Sequence, residues 1–262
     1  MEFINNIKLA FASEQIKIKN KQLMLISLLS PLLSLFLIFI ITEFDSGFSD
    51  FLQNQTIIND LLYFQLVIYV GIVQPFYIVL ICHIVFKQIE SQKGISILQN
   101  SVLPHYFIDY SKILLIIKYN FYNILFLLGY LLSAALISFI SSGIEFSINY
   151  ETLPNFLFII FLFPLLTLPV ITLLNIISKW KSSFYISFLL VLPLVYFVNF
   201  QAMMIFKTTI YSYFDIQLVL IQTIGSDFPI SSHELLWVVS SNVIVVTLFL
   251  FIIKRYPNSR IN

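Results

Sequence analysis

Six stretches of this chain are long, apolar and almost free of charge, and each is long enough to cross a hydrocarbon layer. They run from Gln22 to Thr42, Leu61 to Phe86, Tyr119 to Ile144, Thr152 to Ser178, Ser182 to Phe206 and Leu235 to Ile253. The third extends back toward Ile113. A helix needs about 20 apolar residues to span a bilayer, at about 1.5 Å per residue. Charged residues make up 10% of the 262 residues and hydrophobic ones 59%. A soluble domain carries about 25% charge. Mean hydropathy is +0.95, so the polar side chains are too few to coat a water-soluble body. The expected fold is all-α: a polytopic membrane protein of six transmembrane helices, forming a single domain over residues 1–262.

The charges between these runs alternate. Of the 14 basic residues, all but Lys118 and Lys207 fall at one set of ends: the N-terminal segment, the loops after runs two and four, and the C-terminal tail. The other ends carry Glu43, Asp45, Asp50, Asp60, Glu145, Glu151, Asp215, Asp227 and Glu234. Basic loops stay in the cytoplasm, which places both termini there. The first run is too long for a signal peptide and ends in Ile-Ile-Thr-Glu, not in a small-residue cleavage site.

Residues 1–21 read as an N-terminal interfacial helix. Phe3, Ile4, Ile7 and Phe11 share one face, and Lys17, Lys19 and Lys21 crowd its end. Glu14 would return to the apolar face, so the stripe is expected to stop near Ala12. Pro31, Pro75, Pro164, Pro169 and Pro193 sit inside apolar runs and bend their helices. Neighbouring helices must then satisfy the freed carbonyls. Asn120, Asn123, Asn175, Asn199 and Asn242 lie in or near the runs and serve either to line a path or to bond between helices. Lys118 is read as a snorkelling base, with a substrate-contacting charge as the sharper alternative.

Catalytic chemistry has no foothold in the sequence. His83, His105 and His233 fall at different depths, Cys82 is alone in an apolar run, and no HExxH motif occurs. No Asp or Glu lies inside a run, which disfavours an ion-driven carrier. The 6 glycines offer no filter loop for a channel. There is no GxxxxGK[ST] motif, so the chain has no P-loop for ATP. The expectation is a non-enzyme without metal or cofactor of its own, and a net charge of +1 gives no electrostatic case for nucleic acid.

The segment from Phe86 to Lys112 is the one long stretch between runs that is neither simply apolar nor simply a loop. Ile95, Leu98 and Val102 share a helical face, Lys87, Glu90, Gln92, Lys93 and Gln99 surround it with polar groups, and Gly94 permits a change of direction. Pro104 marks a break, and a second short element is expected at Tyr106–Tyr110 before the third run.

The pattern Glu90-x-x-x-Gly94, Leu98, Leu103-Pro104, then Ser111-Lys112 leading into an apolar run, resembles type-2 ABC transporter permeases. The lysine-rich N-terminal segment, the six runs and the long outer loop before the last are similar too. Within that superfamily the chain most resembles permeases of lantibiotic immunity and antimicrobial-peptide export. The resemblance implies a cytoplasmic coupling helix between runs two and three, within residues 87–112. Lys87, Glu90, Lys93, Gly94, Leu98, Pro104 and Lys112 would couple it to an ABC ATPase subunit that holds the ATP and Mg. It implies a second permease, as homodimer or sister subunit, in a bacterial cytoplasmic membrane. The substrate would be an amphipathic peptide such as a lantibiotic, bacteriocin or peptide toxin. Lys118, Asn123 and Asn199 are the residues expected along its path. The competing reading is a membrane scaffold or immunity protein that binds its peptide partner without transport.

Overall fold

The computed structural model describes residues 2–17, 20–44, 68–69, 73–91, 104–142, 164–165, 167–180 and 232–255. Among these there is no strand. They form six α-helices: α1 (Glu2–Lys17), α2 (Asn20–Phe44), α3 (Gln74–Ser91), α4 (His105–Ser142), α5 (Leu168–Trp180) and α6 (Ser232–Arg255). The all-α class is therefore observed. Among the described residues, the one helix long and apolar enough to cross a bilayer is Tyr106–Ser133, within α4. Shorter apolar helices occur at Lys21–Leu37, Gln74–Phe86 and Leu168–Ser178. The fifth run and the outer loop before the sixth lie outside the described residues, as does most of the segment between α3 and α4.

α4 is the spine. Its 38 residues make a rod of about 57 Å at 1.5 Å per residue. The short element expected at Tyr106–Tyr110 is not separate: it is the start of α4, which continues unbroken into the third run. The physical reason is plain in the sequence: from His105 to Lys118 there is neither Pro nor Gly, and a helix once nucleated propagates cheaply. Pro104 lies just before its first turn, where its missing N–H costs nothing, and its carbonyl accepts the N–H of Phe107 at 3.0 Å.

α3 is the most enclosed helix. Tyr77, Ile78, Ile81, Cys82 and Val85 are buried almost completely. They pack with Leu23 of α2, Ile113, Ile116 and Tyr119 of α4, and Val170, Ile171 and Leu174 of α5. A helix apolar on all sides belongs in the middle of a bundle. The outward faces of α2 and α6 differ in kind: Leu25, Leu29, Leu33 and Phe36, and Val243, Ile244, Leu248 and Phe251, are exposed apolar side chains. Hydroxyl residues inside the helices bond back to their own turn, as Ser34 does to Pro31 O at 2.7 Å and Ser111 to Ile108 O at 2.7 Å. That local bond lets a Ser sit in an apolar helix without a distant partner.

α1 packs along the first part of α4. The Phe3 and Phe107 rings lie 5.2 Å apart, and Lys118 Nζ lies 6.0 Å from the Phe11 ring centroid. Residue numbers rise together along both helices, so they run in the same direction. The packed stripe does not end near Ala12. Ala10 is buried and Glu14 is 1% exposed, so the inward face continues for another turn. Phe3 and Ile4 stay 53% and 58% exposed.

Candidate functional site

Several buried polar side chains are linked by hydrogen bonds between helices, apart from the buried charges Glu14, Asp109 and Lys112 on α1 and the foot of α4. The links begin with Pro31 in α2, whose ring nitrogen has no hydrogen, so the carbonyl four residues earlier, that of Ser27, loses its helical partner. Asn123 of α4 donates its Nδ2 to that carbonyl at 2.8 Å and also to Ser30 Oγ. The Asn123 Oδ1 accepts the hydroxyl of Tyr69. One carboxamide thus joins α2 and α4 to Tyr69, ahead of α3.

A second link sits beside it. The Tyr77 hydroxyl donates to Tyr119 O at 2.9 Å and contacts Ser27 Oγ at 2.9 Å, while Ser27 Oγ also lies 2.8 Å from Leu23 O. Two hydroxyl protons serve three oxygen contacts, so no more than two of the three are hydrogen bonds at once. A third link joins α4 to the turn before α5: Asn120 Nδ2 donates to Thr167 Oγ1 at 2.8 Å, and Thr167 Oγ1 donates to Pro164 O at 2.6 Å. Ser27, Tyr69, Tyr77, Asn120, Asn123 and Thr167 are all fully or nearly fully buried.

These links share one height on α4, between Tyr119 and Asn123, which is the middle of the apolar stretch Tyr106–Ser133. No member of the layer carries a charge. Within it two groups are unspent. Gln74, 0% exposed, has neither Nε2 nor Oε1 hydrogen-bonded, and Asn120 Oδ1 has no partner. Asn175 Nδ2 is also unpartnered, but lies eight residues beyond Thr167, about 12 Å along α5. Buried amides are nearly always paired, and leaving one unpaired costs about 1–3 kcal/mol.

Of the residues expected along a substrate path, Asn123 is in the layer and bonds between helices. Lys118 is half-buried, its ammonium between the rings of Phe11 (6.0 Å) and Tyr122 (5.8 Å), at the outer limit of cation–π attraction. Asn199 lies outside the described residues. Of the coupling set, Lys87 and Glu90 stand on the last turns of α3, their side chains not described. Lys93, Gly94 and Leu98 lie outside the described residues. Pro104 is exposed. Lys112 is 8% exposed and interacts within the fold.

Tyr69, Gln74, Tyr77, Ser27 and Thr167 were not singled out from sequence. Ser27 had a signal available, since it stands four residues before Pro31. Among the described residues no cluster of His, Cys, Asp or Glu could hold a metal ion. Comparison with protein-family models, with curated proteins and with solved structures finds no match to this chain.

Proposed function

We propose that the chain is the membrane-spanning permease subunit of an ATP-driven exporter of amphipathic peptides. The observation that carries this reading is the neutral polar layer at the middle of α4, inside a bundle whose outward side chains on α2 and α6 are apolar. In water those exposed faces would aggregate; in lipid they are the expected surface, and a polar layer at depth is where a transported solute finds partners.

The six-span topology, with cytoplasmic termini in a bacterial plasma membrane, belongs to the same proposal. So does the partnership with a second permease and with an ATPase subunit that binds ATP and Mg. The resemblance of residues 87–112 to a coupling segment supports this, with Glu90 as the contact of choice. The foot of α4, residues 105–112, is the last part of that segment.

The test is co-purification with a P-loop ATPase from membranes, together with ATP-dependent export of an amphipathic peptide from cells. Glu90→Arg is expected to abolish the association while the permease still folds. Undiminished association in that variant overturns the coupling assignment. Peptide retention at the membrane without ATP-dependent export favours the non-transporting scaffold.

A further inference from the structure

The unspent amide groups are bracketed by the same pair of cross-links. Gln74 lies between Tyr69 and Tyr77 along the chain, and Asn120 lies between Tyr119 and Asn123. Tyr69 bonds Asn123, and Tyr77 bonds the carbonyl of Tyr119. Both residues therefore fall, along the chain, within the stretches that these two cross-links join. Together they offer two N–H donors and two carbonyl acceptors with no hydrogen-bond partner.

We propose that this pair is a binding site for a neutral, amide-bearing ligand, namely the backbone of a peptide entering the bundle beside Gln74. The charge of the layer decides the class. Ser27, Ser30, Tyr69, Gln74, Tyr77, Asn120, Asn123 and Thr167 are all uncharged, and moving an ion into such a site is strongly unfavourable. A peptide group is the natural complement of a carboxamide, presenting one donor and one acceptor at matching spacing. An extended peptide in an apolar bundle also has unpaired backbone groups of its own, so each side supplies what the other lacks. The inference names a contact for the substrate class of the proposed function and rests on that reading.

The experiment uses the full chain in nanodiscs and two probes, N-acetyl-trileucine amide and its backbone N-methylated analogue. Expected is a saturable rise in the midpoint of thermal unfolding with the first probe and none with the second. Gln74→Met, unbranched and close in volume, is expected to remove the rise while leaving the unliganded protein folded. Overturning results are an equal rise with both probes, no rise with either, or a rise that survives in Gln74→Met. A Gln74→Met protein that is more stable yet loses no peptide binding identifies an internal water site instead, and also overturns the proposal. Peptide export from cells separates the two readings. Full export with Gln74→Met refutes the site and leaves the transporter. Peptide binding in nanodiscs that depends on Gln74, with no ATP-dependent export, refutes the transporter and leaves the site.

Discussion

Replacing Asn123 with Leu tests the central claim about the layer, because one carboxamide holds three partners on two other segments. A hydrogen bond between helices in a membrane is worth about 0.6 kcal/mol on average and at most about 1.7. Three of them amount to about 2 kcal/mol. Two groups are then stranded. The Tyr69 hydroxyl is buried without its acceptor, and the Ser27 carbonyl has no substitute, since Pro31 offers no N–H. A stranded buried group costs about 1–3 kcal/mol.

The diagnostic is therefore the double-mutant cycle with Tyr69→Phe. Alone, Tyr69→Phe should cost about 1 kcal/mol. In the Asn123→Leu background it removes a stranded hydroxyl and should be neutral or stabilising, giving a coupling of about 1–3 kcal/mol. Unfolding of the purified chain by titration with SDS, followed through the 2 tryptophans, supplies the free energies. Costs that add within about 0.5 kcal/mol would refute the shared network.

Pro31→Ala should restore an N–H to the Ser27 carbonyl and rescue Asn123→Leu by about 1 kcal/mol, read in the same unfolding assay; no rescue would separate the bond from the proline. Ala10→Leu enlarges a 3%-exposed position on the α1 face and should cost about 1–3 kcal/mol by overpacking, which thermal unfolding will show. Gly129→Ala should stabilise the protein by about 0.5–1 kcal/mol, because an added Cβ meets nothing within 4 Å. Cysteine placed at Leu29, a 49%-exposed position, should resist a membrane-impermeant maleimide in intact vesicles and react once they are dissolved in detergent. Rapid labelling in vesicles would show that this face meets water and would remove the membrane reading.

Helix class and helix location were legible in the apolar runs because a continuous run leaves a helix few competitors. α2 and α6 fall within a few residues of the first and last runs. The foot of α4 was misread for a specific reason. Tyr106–Tyr110 reads as a short element of its own, when it is the first turns of α4; the break at Pro104 agrees with a helix that begins at His105. Glu14 was misread because a carboxylate on an apolar stripe signals an ending, yet tertiary contacts kept that residue buried. The layer itself was half legible. Asn120 and Asn123 stand out as polar residues in an apolar run, and Pro31 announces a freed carbonyl. What sequence could not provide was the register between helices that joins these facts, since Ser27 and Asn123 are 96 residues apart.

The continuity of α4 has a mechanical meaning. α1 grips its foot through Phe3 and Phe107, and the polar layer sits at its waist, with neither proline nor glycine between. Foot and waist are therefore one lever. A screw motion of α4 by one residue, about 1.5 Å along and about 100° around its axis, would shear the Tyr77 and Asn123 bonds together. The Phe3–Phe107 contact and the Asn123 links are therefore carried on the same shaft.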